Sequence, residues 1–145
     1  MLDGMIKKNL NIIESESGSI MHALKKTDPG FQDFGEVYFS TVVKEAVKAW
    51  KLHQCMTLNL VVPVGSVLFC FMDVREKSST FNKTCKIILS QEPYSRLTVP
   101  PGIWFGFKGL SDGLNLICNV ADIAHEPNEI KRKNIYEIEM DWSIK

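Results

Sequence analysis

KAWKLHQCMTLNLVVPVG, running from Lys48 to Gly65, holds two β-patterned runs that carry groups a plain core strand would lack. Lys51 and His53 are separated by one residue, so on a strand both side chains leave from the same face. Thr57, Asn59 and Val61 share a face in the same way a few residues later. A sheet face bearing ammonium, imidazole, hydroxyl and amide groups is either solvated or lines a polar pocket. The run RLTVPPGIWFGF, Arg96 to Phe107, again sets charged and aromatic groups among apolar ones and favours the pocket.

Working outward, short apolar runs recur roughly every ten residues and are broken by turn residues, the pattern of an all-β sandwich or barrel. Expected strands are Leu10–Ile13, Ile20–Leu24, Glu36–Val43, Ala46–Leu52, Met56–Val62, Ser66–Asp73, Thr84–Leu89, Arg96–Val99, Trp104–Lys108 and Leu114–Asn119. Asp28-Pro29-Gly30, Pro63-Val64-Gly65, Pro100-Pro101-Gly102 and Ser111-Asp112-Gly113 supply breaks. With almost no helical pattern to form crossovers, the strands should pair antiparallel, and a jelly roll suits that arrangement. The 145 residues form one expected domain. From about residue 126 the chain turns polar and reads as a surface tail, its end packing Tyr136, Ile138 and Trp142 on the body.

Composition narrows the function. Seventeen basic residues balance seventeen acidic ones, so no field marks a nucleic-acid or membrane partner. No run approaches the roughly 18 apolar residues of a spanning helix. The N-terminus is too polar for a signal peptide, which points to the cytoplasm. Cys55, Cys70, Cys85 and Cys118 lack CxxC spacing and read as buried free thiols. There is no P-loop and no GxGxxG.

In order along the chain, GEVYFS (Gly35–Ser40), the Lys48–Gly65 run, FMDVREKSSTF (Phe71–Phe81), RLTVPPGIWFGFKGLSDG (Arg96–Gly113) and NLICNVADIAHEPNE (Asn115–Glu129) resemble the dTDP-4-dehydrorhamnose 3,5-epimerase family. The resemblance implies a cupin-type jelly roll, a homodimer, and action on a nucleotide-linked 4-keto-6-deoxy sugar in deoxysugar or surface-polysaccharide biosynthesis. It also exposes departures. Lys51 stands where the family's base histidine falls, Ala124 where its acid tyrosine falls, and Phe105 where a supporting histidine falls.

Epimerisation beside a ketone needs a base, a stabiliser for the enolate oxygen and an acid on the opposite face. Lys51 suits the base role if burial lowers its pKa from about 10.4 to roughly 7–8. If it stays protonated it suits an enolate oxygen or a phosphate, and the alternative is a merely solvated lysine. His53 is the natural proton carrier on the same face, against the alternative of a hydrogen-bonded rim histidine. His125, one residue past Ala124, is a substitute acid or a plain loop histidine. Expected substrate-binding residues are Glu36, Lys48, Thr57, Asn59, Trp104, Asn119 and Asp122. Lys48 replaces an arginine near the diphosphate, Glu36 matches a glutamate of the nucleotide-binding strand, and Trp104 is a stacking surface. Trp104 and Phe105 point to opposite faces, so at most one meets a given pocket.

The chain holds three histidines, and Lys51-x-His53 stands where a metal cupin has His-x-His, so no metal or other cofactor is expected. A sugar-nucleotide isomerase is the first reading. A non-catalytic binding module with the same pocket is the second.

Overall fold

The computed structural model describes residues 1–144 and shows the expected antiparallel jelly roll. One sheet runs β1 (Ile6–Asn9), β9 (Ser95–Val99), β6 (Leu58–Val64), β11 (Leu116–Ala121) and β4 (Glu36–Thr41). The facing sheet runs β12 (Ile130–Arg132), β5 (Val47–His53), β10 (Ile103–Gly109), β7 (Ser66–Asp73) and β8 (Thr84–Ser90). A separate hairpin joins β2 (Ile12–Ser15) to β3 (Gly18–Met21). The strand pairs within these sheets are antiparallel.

Alternation along each strand decides what faces the interior. Leu58, Leu60, Val62, Leu97 and Val99 from one sheet meet Phe69, Phe71, Phe105 and Phe107 from the other in the main core. Each such side chain contributes about 1.5–3 kcal/mol on burial. Two smaller clusters cover the outer faces. Trp50, Leu52, Leu68, Cys70, Trp104 and Ile138 pack beneath the C-terminal segment. Val61, Tyr94 and Cys118 pack beneath Leu10, Ile12 and Met21 of the N-terminal segment. Asn59 therefore faces outward with Val61, not into the interior.

Two strands were not legible in the sequence. The Ile-Lys-Lys-Asn of β1 and the Ile-Lys-Arg of β12 have weak strand patterns, but each satisfies an open strand edge, β9 and β5 respectively. The C-terminal region is thus more than a surface tail. Ile138 is buried, and the Trp142 ring lies 5.2 Å from that of Trp50. Tyr136, expected to pack, is instead 91% exposed. Cys55 is exposed as well, while Cys70 and Cys118 are buried, and all four cysteines are free thiols.

β4 begins only because residue 35 is glycine. A Cβ on Gly35 would sit 2.0 Å from the Ile123 carbonyl carbon, and the Gly35 N–H donates to Ala121 O at 2.8 Å. This close approach sets the register that carries Glu36 and Tyr38 opposite Ala121 and Asn119.

A candidate nucleotide-sugar site on β5

β5 carries three candidate residues, Lys48, Lys51 and His53. Between Phe105 and Phe107 its pairing with β10 slips, so Phe105 faces Lys51 while Phe107 faces Lys48. That bulge breaks strict alternation. Ala49, which alternation places with Lys51 and His53, packs instead against the outer Trp50 cluster. Lys48 takes its place beside Lys51.

Lys48 and Lys51 line a cleft of about 430 Å³ together with Arg132 and Lys133, Phe105 and Phe107 forming apolar wall. β12 supplies the last two cations, with Arg132 directly across from Lys51. None of the four is paired with a carboxylate among the described residues. Lys48 Nζ donates to Thr41 O at 2.7 Å, and Lys133 Nζ lies 5.4 Å from the centre of the Trp104 ring. The Lys51 side chain reaches solvent, yet partial burial, then the positive charges of Arg132 and Lys48, hold its ammonium below the ordinary lysine range. Four clustered cations without a counter-charge repel one another, and the arrangement is relieved by an anion. A larger groove of about 540 Å³ involves Lys86, Ser143 and Ile144 but no carboxylate, histidine or aromatic ring, so volume alone does not mark the site.

His53 is buried and stacks on Phe105, ring centres 5.9 Å apart. Its Nδ1 hydrogen-bonds Glu129 Oε1, and Glu129 is buried too. Glu129 Oε2 accepts from the backbone N–H groups of Gln54, Cys55 and Met56 at 3.1, 3.1 and 3.3 Å. Burial pushes the Glu129 carboxyl up, but the His53 bond and these backbone donors hold it below its usual range. Because a carboxylate only accepts, Nδ1 must carry the proton in this bond, and Nε2 is left for a ligand. Glu129 went unseen in the sequence because it sits in the polar segment after Pro127, with no spacing to tie it to His53.

The expected substrate-binding residues divide. Glu36 and Asn119 share the interior face of β4 and β11, since the register places Glu36 opposite Ala121 and Asn119 opposite Tyr38. Thr57 and Asp122 lock a turn, Thr57 N donating to Asp122 Oδ1 at 2.7 Å. Asn59 Nδ2 donates to Gly30 O at 3.2 Å, and Asn59 Oδ1 accepts from Thr98 Oγ1 at 2.7 Å. These bonds anchor the Gly30 loop on the outer face. Trp104 lies in the outer cluster, and it is Phe105 that faces the interior. His125 is exposed in the loop after β11, and no side-chain hydrogen bond or ion pair among the described residues joins it to Lys51 or His53. No three His, Cys, Asp or Glu side chains among the described residues converge as a metal site. No helix among them is long and apolar enough to cross a membrane.

Comparison with known proteins gives the family and the fold. The family model described as dTDP-4-dehydrorhamnose 3,5-epimerase matches residues 23–145. The chain belongs to that family. A dTDP sugar isomerase from Desulfovibrio desulfuricans G20 is 36% identical, with TM-score 0.92, over 97% of this chain and 92% of that one. The dTDP-4-dehydrorhamnose 3,5-epimerase of Sulfolobus tokodaii shares the fold at 23% identity and TM-score 0.84, over 99% of this chain and 83% of that one. The Legionella pneumophila enzyme solved with dTDP-4-keto-L-rhamnose shares it at 21% and 0.81, over 92% and 74%. No curated protein sequence matches the chain significantly.

Proposed function

We propose that the protein binds a nucleotide-linked 4-keto-6-deoxy sugar and isomerises or epimerises it through an enolate, within deoxysugar biosynthesis. The observation that carries this reading is the cluster of Lys48, Lys51, Arg132 and Lys133 beside the His53–Glu129 pair. Unpaired cations suit a diphosphate, Arg132 with a bidentate fork and the lysines as point charges. His53 Nε2, backed by Glu129, is the base that takes the proton alpha to the ketone. Lys51 holds the developing oxyanion or the inner phosphate. A family relative that was solved with a dTDP-linked keto sugar supports the ligand class.

Calorimetric titration with dTDP tests the cation cluster. Lys48→Ala with Arg132→Ala should weaken binding by about 1.5–3 kcal/mol per charged hydrogen bond lost. Affinity should fall with added salt, because the contacts are ionic. It should also fall as pH rises through the lowered Lys51 pKa, earlier than an ordinary lysine near 10.4 would allow, because the bound anion needs the cation. Unchanged affinity in the double variant would move the nucleotide elsewhere. The apolar Phe34, Phe39 and Val43 exposed around edge strand β4 suit the homodimer of our reading. Light scattering at micromolar concentration should find twice the chain mass, and a monomer would contradict it.

A further inference from the structure

Two of the four clustered cations, Arg132 and Lys133, come from the end of β12 and the residue after it, where the strand pattern is weak. Contacts from outside that segment must fix their place. Trp50 supplies several of them from β5. Its backbone N–H donates to Lys133 O at 3.0 Å, and its carbonyl accepts from the Lys133 N–H at 3.2 Å. Its indole Nε1 donates to Ile135 O at 3.2 Å. Buried Trp50 thus ties the chain down on either side of Asn134.

The Trp50 ring is covered in turn by Trp142, with ring centres 5.2 Å apart and planes tilted by 42°. Aromatic pairs at that separation attract beyond the area they bury. Gly106 makes the socket for the second ring. It stands at the bulge of β10, and a Cβ there would come within 2.8 Å of the Trp142 ring and 2.6 Å of the Ala49 Cβ. Glycine therefore lets the indole lie against β10 between Phe105 and Phe107, which wall the cleft. The end of the chain is fastened nearby. Lys86 Nζ donates to Asp141 Oδ2 at 2.9 Å and to Ser143 O at 3.1 Å, and Lys108 Nζ donates to Trp142 O at 3.4 Å. Trp142 itself lines no part of the cleft, so its effect on a ligand runs through Trp50 and the segment that Trp50 holds.

Resting on the proposed function above, we propose that Trp142 is a positioning residue for the nucleotide: seated on Trp50 and Gly106, it holds Arg132 and Lys133 in place to receive the diphosphate. Like charges gathered in one cleft push the β12 segment away from Lys48 and Lys51 on β5. The tryptophan pair opposes that push. A bound diphosphate removes it, so the ligand and the seated Trp142 favour each other. Such coupling is reciprocal. Seating strengthens binding, and binding strengthens seating.

Calorimetric titration of wild type, Trp142→Ala and Trp142→Phe with dTDP over a range of salt concentrations tests the role. Trp142→Ala should raise Kd by about 5–150-fold, the usual span of a coupling between sites. It should also flatten the dependence of Kd on salt, since two of the four cations lose their place. Trp142→Phe keeps a ring on Trp50 and should recover part of the affinity. A merely structural role would instead lower the number of binding sites per chain and leave Kd unchanged. Hydrogen exchange in wild type, followed by NMR, reads the converse effect and needs no variant to fold. With dTDP at about a hundredfold excess over Kd, exchange of the Trp50 and Lys133 N–H groups should slow by about 100-fold. Unchanged Kd and salt dependence in Trp142→Ala, or a fall in site number alone, would overturn the Trp142 role and leave the cation cluster standing. So would exchange at those two amides that dTDP does not slow. Failure of wild type to bind dTDP would overturn both.

Discussion

Glu129→Ala should lower stability by about 3–5 kcal/mol, as loss of one partner from a buried charged network does. Three of the donors around the carboxylate have no substitute. Removing it orphans the N–H groups of Cys55 and Met56 and the Nδ1 proton of His53, while the Gln54 N–H keeps its bond to the Glu129 carbonyl oxygen. Each unsatisfied buried donor costs about 1–3 kcal/mol, and water entering the space left behind relieves part of that. Denaturant unfolding followed by tryptophan fluorescence measures the loss. The pH dependence has a fixed sign. Because the folded carboxyl titrates below its usual range, its stabilisation is complete above about pH 4.3 and disappears as pH falls through the folded value. The alanine variant should therefore show a shallower loss of stability in acid than wild type.

His53→Asn should lower the rate of proton exchange by about 10²–10⁴ while leaving dTDP affinity within a factor of about two, since His53 lies outside the cation cluster. Asparagine retains a donor toward Glu129, so the buried carboxylate keeps a partner and the fold survives. The comparison with Lys51→Ala is informative. Lys51 lines the cleft with Lys48, Arg132 and Lys133, so its loss should weaken binding and slow exchange together. A His53 variant that loses binding but not rate would assign the ring to structure.

Local pattern carried most of the fold because strand alternation and turn chemistry are local. Lys51 and His53 do share a face, and Trp104 and Phe105 do oppose one another. Ala49 escapes because the bulge against Phe105 and Phe107 is a property of the pair of strands, not of β5 alone. Asn59 escapes for another reason. Both faces of β6 are covered, its outer face by the N-terminal segment, so a buried amide there serves an anchoring role that periodicity cannot separate from a pocket role. Glu129 and Arg132 reach the site only because a charged segment pairs with the open edge of β5.

Enolate chemistry on a nucleotide sugar at His53 and Lys51 leaves a mark in the substrate, because a proton taken from carbon exchanges with solvent. Incubating the protein with a panel of nucleotide-linked 4-keto-6-deoxy sugars in heavy water, then recovering the sugars for mass spectrometry, tests it most directly. Wild type should add at least one carbon-bound deuterium to one member of the panel, and both His53→Asn and Lys51→Ala should lose that gain. Tight binding of a panel member without deuterium uptake would contradict enolate chemistry and leave a sugar-nucleotide binding module.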